Sequence, residues 1–435
     1  MRVRLKLLPA IAVMLLVFFV SCSSEQGDKE IIDTSLRISV PAIEETVAPI
    51  ETELTVTEAE VGTVPVQETE LPETTDAPEP TPITEVRLSF AAAGDNVIHP
   101  NIYMEAARRA VEGGRAYNFK PIYEDVAELI SQADIAFINQ ETLTAGESYG
   151  YSGYPRFNSP QDLAYDLIEL GFDIVNIANN HMADKGTQGL ADTITFWKSL
   201  PVMMIGGYDN AEDYDNVRIY EEQGITIAML SYTYGTNGLS ISSSSPIKIP
   251  YIKDEDIIRQ VALAKEAADL VFVSVHWGEE NWFKPTEEQR RVANLMAEQG
   301  VDVIIGHHPH VLQPIEWIER PDGERTLCIY SLGNIISTMM QGQNMVGGFM
   351  TFDIVKNEDG AHIENPIFIP TVFFYGKNYF STHIYYMKDF NEDLAAIHGT
   401  QVYGYLDTYE ELISYVEKNI AEDFLPEIYT SYQGE

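Results

Sequence analysis

Short apolar runs recur through the middle of the chain, and the stretches between them place apolar residues at helical spacing. The runs occupy 88–93, 134–138, 173–178, 270–275 and 301–305. Runs of this length, rich in β-branched residues, predict strands buried on both faces, as in a parallel sheet. Stretches at 124–133, 160–170, 189–200, 254–268 and 287–299 read as helices, with one more strand near 202–205. Helix and strand alternating in this way imply an α/β domain. After His310 the pattern changes: 326–331, 348–354 and 362–372 read as strands with no helix between them. A mixed sheet, or a second sheet packed on the first, should follow. From about Asp389 the tail is expected to hold one or two helices, including 409–419.

Each of the five main runs ends in, or is followed by, a polar motif. In order these are Gly94-Asp95, Asn139-Gln140-Glu141, Asn179-Asn180-His181, His276-Trp277-Gly278 and Gly306-His307-His308-Pro309-His310. Taken singly, each has an ordinary explanation. Gly-Asp is a common turn, Asn suits turns and helix caps, and a lone His is usually a satisfied polar residue. Five in succession place carboxylates, amides and imidazoles at the carboxyl ends of buried strands, where α/β folds build their sites. Three imidazoles within four positions are costly unless they face water or a metal. His308 and His310, two apart, are expected on the same side of an extended segment. Oxygen and imidazole ligands without a thiolate suit Mn, Fe or Zn better than Ca or a structural zinc. The ligands suffice for two divalent metal ions sharing Glu141. Two cations about 3.5–4 Å apart clamp an in-line phosphoryl displacement and generate hydroxide at neutral pH.

The amino-terminal end follows another logic. Arg2, Arg4 and Lys6 precede an apolar stretch at 7–20 that is too short to span a bilayer comfortably. Val20-Ser21-Cys22-Ser23-Ser24 resembles a bacterial lipobox, which would make Cys22 the lipidated first residue of the mature protein. An ordinary signal peptide or an uncleaved anchor are the alternatives, and all three put the folded part outside the cytoplasm. Residues 28–85 carry 15 acidic and 2 basic side chains, net −13, with few aromatics. Such a segment is expected to be an extended, self-repelling spacer. The expected organisation is a leader with lipobox at 1–22, an acidic linker at 23–85, a folded domain at 86–385 and a helical extension at 386–435. The net charge of −40 argues against sequence-independent binding to nucleic acid or to an anionic membrane face. With Cys22 lipidated, Cys328 has no partner for a disulfide, and its setting in Leu327-Cys328-Ile329-Tyr330 marks it as a core residue.

The order of the motifs resembles the calcineurin-like metallophosphoesterase superfamily, and more closely the CapA family of capsule and poly-γ-glutamate biosynthesis proteins. The resemblance rests on Asn179-Asn180-His181 with Asp184 and Gly186, on His276-Trp277-Gly278-Glu279, on Gly306-His307-His308-Pro309-His310-Val311 and on Tyr330-Ser331-Leu332-Gly333-Asn334. It covers about 86–372. It implies a four-layer αββα sandwich with two mixed sheets. It also implies metal ligation by Asp95, Glu141 as the bridge, Asn180, His276, His308 and His310, with His181 as general acid and His307 as a supporting hydrogen-bond partner. Two departures stand out. Many members have a histidine two residues after the first Asp, where this chain has Val97, and an Asp bridge is common where this chain has Glu141. His99 is near enough in sequence to be considered as a substitute.

Two functional readings follow. One is a lipid-anchored metallohydrolase on the extracytoplasmic face of the cell membrane, acting on a phosphoester. The other is an accessory factor in a complex that makes or exports an anionic surface polymer. Ester or amide hydrolysis by the same bound hydroxide is a third possibility, because metals define the nucleophile and not the leaving group. Trp277, Trp282 and Phe283 are candidates for the wall of the cleft or for core packing, and Ser331–Asn334 reads mainly as a structural strand-to-turn element, with a place at the pocket for Asn334 as the alternative.

Overall fold

The computed structural model describes residues 85–426, with Gly113, Leu406 and Asp407 excepted. The leader, the lipobox and the spacer up to residue 84 lie outside the described residues. Fourteen strands and nine α-helices form among those described. The first sheet has a parallel core of β1 (Val86–Asn96), β2 (Ile135–Gln140), β3 (Ile174–Asn176) and β4 (Met203–Ile205). The second is built from β5 (Arg218–Glu222), β6 (Ile225–Thr233), β7 (Leu270–His276), β8 (Val303–His307), β9 (Leu312–Glu319) and β10 (Arg325–Leu332), in the order β5-β6-β7-β8-β10-β9. The first sheet is then completed by β11 (Asn334–Ile336), β12 (Val346–Asn357), β13 (Gly360–Phe374) and β14 (His383–Tyr386). Its order is β14-β13-β12-β1-β2-β3-β4, with β11 pairing with β1. Both sheets are mixed, each with antiparallel strands beside its parallel core.

Strand periodicity shows how the layers stack. On β7, Leu270 and Phe272 enter the large core between the sheets, while Val271, Val273 and Val275 enter a second core under α6 (Asp254–Ala267) and α7 (Glu287–Gln299). Phe272 meets Phe90 of β1 edge-on at 5.3 Å, and Phe90 stacks on Phe352 of β12 at 4.8 Å, so aromatic rings lock the two sheets together. The opposite face of the first sheet is covered by α3 (Asp162–Leu170) and α4 (Gly186–Lys198), which connect its parallel strands. The result is the αββα sandwich that the resemblance implies. The shorter helices are α1 (Pro100–Arg108), α2 (Ala127–Gln132), α5 (Ala211–Asp215) and α8 (Glu392–Ile397). Helix α9 (Tyr409–Asn419) touches both β9 and β12, and its Leu412 and Val416 join the main core. No helix among the described residues is long and apolar enough to cross a membrane.

Most elements fall where the pattern places them, and α7 and α9 match to the residue. Helix α7 is bounded by chemistry visible in the sequence: a Thr286–Gln289 capping box at its start and left-handed Gly300 at its end. That ending also corrects the next strand. The Val301 N–H bonds back to Met296, so β8 begins at Val303 and runs on to His307 rather than occupying 301–305. The helix read at 124–133 starts as a 3-10 turn before α2. The strands β5, β6, β9, β11 and β14 and the helices α1 and α5 have no counterpart in the sequence reading.

The carboxyl ends of both parallel cores meet, and glycine lets them approach. The register sets Asp95 opposite Asn139 on one side and Asn334 on the other, with a bulge at Gly94. A Cβ on Gly94 would lie 2.3 Å from the carbonyl oxygen of Gly333. Gly94→Ala should therefore push β11 from β1 and lower stability by about 1–3 kcal/mol in a denaturant titration. An unchanged midpoint would show that this close approach is not required.

Candidate metal centre

Asp95, the penultimate residue of β1, is completely buried. A chain of buried hydrogen bonds fixes its carboxylate. The Ser231 hydroxyl on β6 donates to Asn176 Oδ1 at 2.6 Å, Asn176 Nδ2 donates to Asn139 Oδ1 at 2.8 Å, and Asn139 Nδ2 donates to Asp95 Oδ1 at 2.8 Å. On the far side, His307 Nδ1 meets the same oxygen at 3.1 Å. The other oxygen accepts the His308 backbone N–H at 3.2 Å and lies 3.2 Å from His310 Nδ1. Burial alone would raise the Asp95 pKa, but His307 and His310 outweigh it and hold the carboxyl well below the usual carboxylate range.

Glu141 lies just past β2, 1% exposed, with both carboxylate oxygens buried and unpartnered. Around it stand His310 Nε2 at 3.5 Å, His276 Nε2 at 3.9 Å and His181 Nε2 at 4.0 Å. His276 Nε2 also lies 3.1 Å from Asn180 Oδ1. His308 and His310 reach this cavity from a turn with φ of 99° and 56°, not from an extended segment. Asn334, placed at the pocket as one sequence reading allowed, sets its Oδ1 2.9 Å from His310 Nδ1. All six residues expected to bind metal therefore converge.

The donor set fits divalent cations. Besides Glu141, the buried nitrogens His276 Nδ1, His307 Nε2 and His308 Nδ1 have no hydrogen-bond partner. Unsatisfied polar atoms at this density are costly, and a cation would satisfy those that face it. One oxygen or nitrogen from each of Asp95, Glu141 and His276 lies within 4.8 Å of the others, as do those of Glu280, His308 and His310. Without a cation, burial drives the Glu141 pKa up. Burial opposes a charge on His310, but Glu141 and Asp95 outweigh it and raise the imidazole to about 10. Burial holds His308 down at about 3 and His276 well below its usual value.

His181 is in neither group of three, although its Nε2 stands 4.0 Å from Glu141. Its Nδ1 is 2.8 Å from Asp184 Oδ2, which also accepts the Phe157 N–H at 2.7 Å, while the Phe157 ring packs edge-on against the imidazole at 4.7 Å. The carboxylate fixes the ring with Nε2 toward Glu141. His99 is in neither group of three, although its ring, like that of His181, packs edge-on against Phe157. Val97 is buried in the core, and His99 Nδ1 accepts the Thr338 N–H at 3.3 Å. Trp277 is core, stacked on Tyr330, whereas Trp282 is exposed and Phe283 stacks on Tyr415 of α9. Sequence reading missed Glu280, Tyr234 and Asn237. The Tyr234 ring lies 4.7 Å from that of His308 at the mouth of the site, and Asn237 Oδ1 accepts from Asn180 Nδ2 at 3.3 Å. Tyr234 and Asn237 follow β6, whose apolar run from Ile225 was the available signal.

Fold and site together define a two-sheet αββα protein with a buried carboxylate–imidazole centre. The chain belongs to the bacterial capsule synthesis protein family PGA_cap, whose model matches residues 89–339. It is 33% identical over 203 residues to PGA biosynthesis protein CapA of Bacillus subtilis (strain 168), covering 46% of this chain and 52% of that one. It is 34% identical over 172 residues to capsule biosynthesis protein CapA of Bacillus anthracis, covering 39% and 41%. The chain thus spans about half the length of the curated relatives it matches. Among solved structures, the calcineurin-like phosphoesterase YfkN of Bacillus subtilis aligns with a TM-score of 0.39 at 12% identity, over 77% of this chain and 97% of that one.

In the metal-free centre Glu141 and His310 titrate as one pair, since burial favours a neutral carboxyl while an ionised Glu141 favours a charged imidazole, so the pair is expected to share protons at pH 7. A cation takes the place of those protons. Calorimetric Mn²⁺ binding at pH 7 should then show an enthalpy that varies with the buffer's ionisation enthalpy. The proton release should shrink as pH rises toward 10. A buffer-independent enthalpy at pH 7 would contradict the assignment.

Proposed function

We propose that this protein is a lipid-anchored, extracytoplasmic metallohydrolase of the phosphoesterase type that serves capsule or poly-γ-glutamate biosynthesis. The observation that carries this reading is Glu141, a buried carboxylate with no hydrogen-bond partner, surrounded by three imidazoles within 4.0 Å. Asp95, Glu141, Asn180, His276, His308 and His310 would hold two divalent ions of the Mn, Fe or Zn kind. Bound there, such ions supply a hydroxide nucleophile and positive charge for phosphoryl oxygens. His181 supplies the proton. With Nδ1 held by Asp184, its Nε2 faces the centre and protonates the leaving oxygen. The family membership supports the polymer context, and it equally favours a second reading, in which the centre binds an anionic polymer during assembly without cleaving it.

Metal content and turnover separate these readings. Asn180→Ala should lower both bound metal, by elemental analysis, and melting temperature, because bound metal stabilises the fold by mass action. His181→Ala should keep metal and fold but lose on the order of 10²–10⁴-fold in turnover of a phosphoester. If the wild type hydrolyses nothing across phosphomonoesters and phosphodiesters, and His181→Ala still supports surface-polymer assembly in cells, the accessory reading replaces the enzyme.

The anchor is tested apart from the chemistry. Cys22→Ala should release the protein from membranes or leave an unprocessed precursor. Lipid labelling that persists in this variant would place the anchor elsewhere.

A further inference from the structure

Glu280 is an exposed carboxylate, and among the described residues no hydrogen bond or ion pair engages it, yet one of its oxygens lies within 4.8 Å of ligand atoms of His308 and His310. Its loop is not loose. On one side of it, the Trp277 N–H bonds to the His307 carbonyl at 3.1 Å. On the other, the Asn281 N–H bonds to the Pro309 carbonyl at 2.8 Å. Asn281 Oδ1 accepts from Asn344 Nδ2 at 2.7 Å, and Asn344 Nδ2 also lies 3.1 Å from the His310 carbonyl. Gly278, at φ 88°, packs so closely that a Cβ would meet the Gln289 side chain at 2.5 Å. The segment 277–281 and the histidine turn are thus stitched into one unit that carries Glu280 beside two imidazoles. Of these, His308 is 3% exposed and has an unpartnered, buried Nδ1. Holding an exposed carboxylate rigidly against two imidazoles has little structural benefit of its own, whereas a cation would draw all three together.

We propose that Glu280 is a metal ligand of this protein, and that it makes the two cation positions unequal. One position is buried and held by Asp95, Glu141 and His276. The other lies toward the surface and is held by the exposed Glu280 with the buried His308 and His310. The first offers two carboxylates and one imidazole inside the protein, where attraction for a divalent ion is strong and exchange with solvent is hindered. The second offers one carboxylate and two imidazoles at the mouth of the site, so its ion binds less tightly and exchanges faster. Occupancy of the outer position then follows the free metal concentration around the protein. Val97 has no donor side chain, and His99 is in neither group of three.

This inference rests on the reading of the centre as a metal site, and the two fail differently. The test uses the metal-free full-length protein titrated with Mn²⁺, followed by calorimetry and by the electron paramagnetic resonance signal of bound Mn²⁺. Wild type should bind two ions per chain, one tightly and one more weakly. Glu280→Gln should weaken the second class on the order of tenfold or more, at least what losing a supporting partner of a ligand costs, and leave the tight class within about twofold. Glu279→Gln, at the exposed neighbour, should leave both classes unchanged. If Glu280→Gln keeps both affinities, Glu280 is not a ligand and the inference falls while the metal centre stands. If wild type binds no Mn²⁺, the metal reading itself falls and takes this inference with it.

Discussion

The structure turns on one buried carboxylate. Asp95 belongs to the first sheet, but the groups that neutralise and orient it on one side come from the end of β8 in the second. On its other side, the amide chain through Asn139 and Asn176 returns to the second sheet at Ser231. The polar row is therefore a closed stitch between the two sheets, laid across the carboxyl ends of their parallel strands. An ionised group with no water around it is tolerable only when every lone pair is answered. That requirement fixes the relative position of the sheets at their polar end, much as Phe90, Phe272 and Phe352 fix it in the apolar interior.

Much of this was legible in the sequence because parallel strands advertise themselves. Buried on both faces, they read as apolar runs, and the ligand-type residues stand where the runs stop. That logic located Asp95, Glu141, Asn180, His276, His308 and His310 before any geometry, and the structure brings all six together. What stayed hidden has physical reasons. Glu280 lies four residues beyond β7 and is exposed, and an exposed Glu in a chain of net charge −40 carries no signal by itself. Tyr234 was missed because β6, the strand that delivers it, went unread. The turn of the paired histidines reads as extended by spacing, but the backbone takes left-handed angles at His308 and His310, which non-glycine residues seldom adopt and which only tertiary packing enforces. Cys328 behaves as read: it is fully buried in the core under α6 and α7.

Charge is distributed in a way that concentrates function. Many surface cations are already matched to carboxylates, as in Arg115 with Glu169 or Arg291 with Asp254 and Glu288. Such exposed pairs add little stability, and each cation so matched attracts an incoming anion less. An anionic polymer approaching a chain at −40 meets repulsion over most of the surface. Cations gathered in the centre would be the main local exception, so affinity for such a polymer and occupancy of the centre are physically linked.

The stitch through Asp95 also orders events in time. Asp95 and His307 are separated by 212 positions along the chain, and the hydrogen bond between them closes only after both sheets exist. Contacts of such long range form late in folding, because the entropy of the intervening loop must be overcome first. A half-made polypeptide holds scattered carboxylates and imidazoles but no cage. Any selection of a cation by this centre would therefore wait until folding finishes. The ions present as the two sheets close would then decide which cation the cage takes.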